Sequence, residues 1–252
     1  MGYQFKHKET VEGGVVRMAR EQAGRAVAEL QAADIAIDER IHQVRKRFKK
    51  IRAIVRLVRD ELGKAYAREN IWYRDKSRKL AEARDAAAML ETLAKLRRQY
   101  DRSQLSTTAY ETVRTLLTNE CQRRMHGENN IAVMARLREE LDEAGKRIMT
   151  WPLKKDGYGL VVKGFKRTYK RGRKAFAVAY AVPTDENVHE WRKRVKYHWY
   201  HIRMFQRIWP DVMKGLRKSL KTLSDLLGED HDLALLCAYL EETCTCQGAE
   251  DE

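Results

Sequence analysis

One nine-residue segment of this chain occurs twice. Ile41-His42-Gln43-Val44-Arg45-Lys46-Arg47-Phe48-Lys49 is matched by Val188-His189-Glu190-Trp191-Arg192-Lys193-Arg194-Val195-Lys196 at an offset of 147 residues, and five of the nine positions keep the same histidine or charged residue. The same offset, without a gap, pairs Arg56 with Arg203, Leu80 with Leu227 and Asp85 with Asp232. A register held over more than forty residues marks a duplicated unit, which restricts the fold to one that can be built twice and packed on itself. The expected organisation is a single domain over 1–252, with repeats at about 1–105 and 150–245 joined by a helical pair at 106–149.

The unit is helical. The three prolines (Pro152, Pro183, Pro210) leave long segments rich in Ala, Leu, Glu, Lys and Arg, with apolar residues at three- and four-residue spacing. This pattern predicts an all-α protein with helices at about 12–33, 35–62, 65–81, 83–101, 106–126, 128–149, 158–181, 185–208, 211–227 and 230–245. Gly63, Gly127 and Gly228 stand where helices are expected to stop, and Asp185, Asp211 and Asp230 where helices are expected to be capped. The apolar run at 160–162 is the one strand-like exception. With 252 residues and 43% hydrophobic content, the chain is long and apolar enough to bury a core.

Placed at 100° per residue, the first motif puts Ile41, Val44, Phe48, Ile51, Val55, Val58 and Leu62 on one stripe. The opposite stripe holds His42, Arg45, Lys46, Lys49, Arg52 and Arg56, a row about 20 Å long at 1.5 Å per residue. The second copy turns Val188, Trp191, Val195, Ile202, Phe205 and Trp209 inward and His189, Arg192, Lys193, Lys196, Arg203 and Arg207 outward, with Trp199 at the position of Arg52. The preceding helix sets Val161, Phe165, Thr168, Gly172, Phe176 and Ala179 against Lys163, Lys166, Arg167, Lys170, Arg173 and Lys174, and its counterpart in the first half carries Arg17, Arg20 and Arg25. A solvated helix face normally mixes signs, because like charges four residues apart destabilise it. Uniformly positive rows point instead to an anionic ligand that neutralises them. If the repeats pack with pseudo-twofold symmetry, the rows line one central basic groove or pore.

Composition narrows the partner. Lys and Arg outnumber Asp and Glu by 51 to 36, a formal charge of +15 that concentrates anions around the protein. Apolar runs such as 233–236 and 86–88 fall far short of the roughly 20 residues of a membrane span. Residues 1–12 lack the apolar core of a secretory signal, so a cytoplasmic location is expected. Cys121, Cys237, Cys244 and Cys246 include one close pair but no second pair at zinc spacing, so reduced thiols are expected, with metal binding by the tail the alternative.

These residues resemble the CHAD domain family, named for its histidine-containing α-helical character. The resemblance rests on the twin His-x-x-Arg-Lys-x-x-Lys motifs at 42–49 and 189–196, Tyr169-Lys170-Arg171-Gly172-Arg173 ahead of the second, the Arg84-Asp85 step, and Leu227-Gly228-Glu229-Asp230-His231-Asp232. It spans nearly the whole chain, with Trp199 at the Arg52 position and Ala81 at the Gly228 position as departures. It implies two pseudo-symmetric four-helix bundles around a central basic pocket that binds long-chain inorganic polyphosphate, with some members associated with polyphosphate granules. Some members are fused to a triphosphate tunnel domain bearing a Glu-x-Glu-x-Lys strand. That strand is not present in this sequence, so the resemblance implies the binding module alone.

The chemistry suits that ligand. Polyphosphate carries about one charge per unit and offers only oxygen acceptors, which arginine forks and lysine point charges satisfy. His42 and His189, disfavoured as cations in such a field, are expected to donate to phosphate best at mildly acidic pH, or else to hydrogen-bond a neighbouring helix. The polyphosphate-binding residues expected are therefore Arg20, His42, Arg45, Lys46, Lys49, Arg52, Arg56, Lys166, Arg167, Lys170, Arg173, His189, Arg192, Lys193, Lys196 and Arg203, with no cofactor or metal. Asp85 and Asp232 are expected as caps or as anchors for basic side chains, and no catalytic constellation is evident, so the protein is expected not to be an enzyme. Three other readings remain: RNA or single-stranded DNA binding, a phosphoanhydride-acting enzyme, and a helical scaffold for acidic proteins. Single-strand binders interleave stacking aromatics among their cations; the face from His42 to Arg56 has none, while Tyr197, Trp199 and Tyr200 lie near the second face.

Overall fold

The helix that carries the first motif is covered on most of its circumference. In the computed structural model, which describes residues 2–80, 82–100, 106–125, 129–154 and 157–248, the order is α1 (Val11–Gln31), α2 (Ile37–Leu57), α3 (Arg59–Leu62), α4 (Lys64–Lys79), α5 (Glu82–Gln99), α6 (Thr107–Met125), α7 (Asn129–Met149), α8 (Gly159–Ala181), α9 (Asp185–Phe205) and α10 (Pro210–Gly248). The protein is all-helical, and no strand occurs among the described residues; the run at 160–162 opens α8. Gly127, the side chains of Arg84 and Asp85, and those of Cys244 and Cys246 lie outside the described residues.

α2 packs against α1, α4, α5, α8 and α9. Its predicted apolar stripe is fully enclosed, with Ile41, Val44, Phe48, Ile51, Val55, Val58 and Leu62 all buried in the main core. That core also takes Val15 and Met18 of α1, Leu141 and Ile148 of α7, and Tyr200, Met204 and Phe205 of α9. The N-terminal residues close one side: the Tyr3 hydroxyl donates to the Lys50 carbonyl at 2.7 Å, and the Phe5 amide donates to the Met204 carbonyl at 3.0 Å. A smaller core joins α5, α6 and α10 through Met89, Leu93, Leu117 and Leu236.

Three contacts fix α8 and α9 on α2 and α3. His201 is buried and its Nε2 lies 2.8 Å from the Ala53 carbonyl. Desolvation pulls the His201 pKa down to about 3 against the opposing pull of that hydrogen bond, so the ring is neutral and Nε2 carries the proton it donates. Arg167 of α8 pairs with Asp60 at 2.9 Å. At Gly164, α8 comes so close that a Cβ would stand 1.9 Å from the Leu57 carbonyl oxygen, a distance no side chain survives without moving the helix.

Several boundaries differ from expectation. The span 35–62 is two helices, because Val58 (φ −101°, ψ 21°) interrupts α2 before the single turn of α3. Gly63, at φ 51°, then reverses the chain as predicted. Gly228 does not stop a helix: α10 runs through it and through Asp230, merging the two helices expected at 211–227 and 230–245. Gly228 instead lies under Arg192, whose Nε would be 3.6 Å from a Cβ there. The cap of α9 is Thr184, whose hydroxyl accepts from the Asn187 amide at 3.3 Å, with Asp185 in the first turn. Asp211 likewise sits inside α10, which opens at Pro210, a residue suited to a position that needs no N–H donor. Trp209 is not inward but 61% exposed, and Phe176 is 46% exposed, its ring tilted against that of Trp191 at 5.0 Å rather than enclosed.

Candidate anion-binding site

Packing α9 on α2 through Tyr197, Tyr200 and His201 brings the two cationic rows side by side. The clearest witness is Lys49. Its side chain reaches water, yet protein crowds its ammonium closely enough that desolvation, followed by the charges of Arg45, Arg192 and Lys196, pulls its pKa down to about 7, against Asp232. Arg45 comes from its own helix, Arg192 and Lys196 from the second copy of the motif, and Asp232 from α10. Lys193 shows the converse: its pKa is lowered by burial and, among other charges, by Arg52 and Arg56 across the junction. Lys196 is likewise lowered by burial first, and then by Arg192, with Lys46 of α2 contributing.

Aromatic rings seat the cations. Arg56 lies 4.4 Å from the Tyr197 ring centroid and Arg52 6.0 Å from it. Trp199, at the position of the missing arginine, holds Lys196 at 5.1 Å and Arg203 at 5.9 Å. These are cation–π geometries, which orient a charge without cancelling it. Tyr197 and Tyr200 are buried, so they are supports rather than open platforms for bases. Nε of Arg56 and Nε of Arg192 are buried donors without a hydrogen-bond partner among the described residues.

α10 completes the cluster with a histidine that the sequence reading quoted but did not assign. The rings of His189 and His231 lie 4.0 Å apart and 38° from parallel. Both pKa values are held down to about 4: burial comes first for each, followed by His231, Lys193 and Arg192 for His189, and by Arg192, Lys49 and Lys193 for His231. Two neutral imidazoles thus stand in a field of cations. Among the described residues no third histidine, cysteine or carboxylate joins them in a metal-holding group. Asp232, inside α10 rather than at a helix start, acts on Lys49 as a carboxylate anchor and not as a cap.

Not every expected residue joins this junction. Arg20 stands exposed on α1, and Lys166, Lys170 and Arg173 stand exposed on α8, without an ion pair or ring contact among the described residues. His42 lies on α2 one turn before Lys46. Conversely, Arg59, Arg171 and Arg194 line an open cleft beside Arg56 and Arg167, and the sequence reading passed them over. Arg194 belongs to the repeated motif, so its identity with Arg47 was a usable signal; Arg47, however, turns to Glu29, donating at 3.0 Å through Nε.

The structure is that of an all-α protein with two cationic helix faces brought together. A family model for the CHAD domain matches residues 19–241, and the chain belongs to that family. No curated protein matches the sequence. Among the described residues no helix is long and apolar enough to cross a membrane.

Proposed function

We propose that the protein binds inorganic polyphosphate without turning it over, through the joined cationic faces of α2 and α9. In this reading 1–252 is one domain whose halves, about 1–105 and 150–245, are pseudo-symmetric repeats around a central basic groove, and the protein works in the cytoplasm in association with polyphosphate granules. The observation that carries it is Lys49, which reaches the surface yet has its ammonium crowded by protein and by the charges of Arg45, Arg192 and Lys196 from both copies of the motif. Such a cluster repels itself, and a flexible polyanion relieves the repulsion along its whole length. The buried Nε donors of Arg56 and Arg192 fit a ligand that offers only acceptors.

Nucleic acid is the second polyanion in question. Stacking requires open rings, but Tyr197 and Tyr200 are buried, and Trp199 is occupied by Lys196, Arg203 and Tyr200. The test is direct competition between long polyphosphate and single-stranded RNA at physiological salt. Polyphosphate is expected to win, and Lys49→Ala with Arg192→Ala to weaken it by about tenfold or more. Equal affinity for RNA, or sustained phosphate release from polyphosphate with magnesium, would refute this reading.

A further inference from the structure

The basic face does not end at Arg56. Beyond it lies an open cleft with five arginines in its lining, Arg56, Arg59, Arg167, Arg171 and Arg194, and no lysine or histidine among the described residues. They converge from α2, α3, α8 and α9. Four of them are held in place. Arg56 lies over Tyr197 at 4.4 Å, Arg59 over Tyr66 at 4.6 Å, Arg167 pairs with Asp60 at 2.9 Å, and Arg194 pairs with Glu190. The fifth, Arg171, is exposed and makes no ion pair or ring contact among the described residues. Two carboxylates against five guanidiniums leave the cleft strongly positive and its forks already oriented.

The cleft is also closed behind. Thr168, in its wall, lies one turn from Gly164, where α8 presses against the Leu57 carbonyl too closely to admit a Cβ. No polymer passes between α2 and α8 there, so the cleft has no through-passage on that side. An interior phosphoryl unit has two unbridged oxygens and one charge, whereas a terminal unit has three and gains a second charge near neutral pH. One guanidinium fork is satisfied by the two oxygens of an interior unit, but several forks converging on one point offer more donors and charge than that unit can use, which suits the third oxygen and second charge of a terminal unit.

We propose that this cleft holds the terminal phosphoryl group of the bound chain, with interior units laid along Lys193, Lys49 and Arg192. This rests on the polyphosphate reading, and the test separates the two. Linear tripolyphosphate has ends; cyclic trimetaphosphate has none. Binding of both, and of long polyphosphate, is measured by titration calorimetry on the full chain and on Arg171→Ala and Arg171→Lys. Arg171 is exposed and unpaired, so neither variant threatens the fold.

Arg171→Ala is expected to lower tripolyphosphate affinity by about tenfold or more and trimetaphosphate affinity by no more than about twofold, the share of one screened charge. Arg171→Lys is expected to retain most of the tripolyphosphate loss. Equal losses for the linear and cyclic anions, or full rescue by lysine, overturn the end-group site even if long polyphosphate binds. Failure of long polyphosphate to bind the unsubstituted protein sinks the broader reading, while an Arg171-dependent preference for the linear anion still upholds the cleft as a terminal-phosphoryl site.

Discussion

In α2 the side chains behind the cations, Phe48, Ile51 and Val55, are wholly enclosed, whereas in α9 Trp191 is only partly covered, and just beyond its end Trp209, placed inward by the same periodicity, stands in water. The histidines divide as unevenly: the second half holds His189, His198, His201 and His231, against His42 in the corresponding part of the first. Five of the six charged or histidine heads were kept, with Trp199 replacing Arg52, while the apolar backing changed in size and cover. The first copy builds the core, and the second borrows it. Ligand chemistry and folding stability should therefore respond differently to equivalent changes in the two helices.

The strongest way to break the comparison is Gly164→Ala, which thrusts a methyl group into the Leu57 carbonyl and is expected to cost about 3 kcal/mol or more, read as a lower midpoint in urea. Next, Phe48→Ala is expected to cost about 3–5 kcal/mol and Trp191→Ala about 1–2 kcal/mol. Equal losses at these two motif positions would contradict the asymmetry.

Acid sharpens it further. Burial, above all, lowers the pKa values of His189, His198 and His231 to about 4 and that of His201 to about 3, all below the ordinary histidine value. A depressed histidine takes up its proton more readily unfolded than folded, so stability is full above about pH 6.5 and falls as pH drops from there toward 4. Each contributes up to about 1.4 kcal/mol per pH unit inside that window. His201→Phe is expected to flatten the slope in denaturant titrations between pH 6 and 4, whereas His42→Phe should leave the His201 share intact. The smallest effect concerns Lys50, 5% exposed, which at the same offset corresponds to the buried Tyr197. Desolvation and then Arg47 and Arg203 lower its pKa to about 7. Lys50→Met removes a crowded buried cation and is expected to raise stability by about 1 kcal/mol at pH 7, measured by thermal unfolding.

Much of this was legible before any coordinates. The stripe from Ile41 to Leu62 could be read because a 3.6-residue period needs only a covering neighbour, and α2 has neighbours on most sides. The same rule failed at Trp209 and Phe176, because periodicity marks an apolar face without saying whether anything covers it. Gly228 was misread because glycine stops a helix only where the backbone must turn; here α9 lays Arg192 over it in mid-helix. The junction around Lys49 was foreshadowed by the repeat, but Arg59 and Arg171 were not, since they meet only where α3 and α8 approach each other in space.

The continuous span of α10 has a mechanical consequence. Its 39 residues make a rod of about 58 Å, gripped by α9 near its start and by α5 toward its far end. In the corresponding stretch of the first half, α4 ends at Lys79 and α5 begins at Glu82, so a joint between two helices stands where the second half has one continuous helix. The rod has no such joint at Gly228. A rigid helix of this length carries a displacement at the His189–His231 pair along to its far end rather than absorbing it on the way.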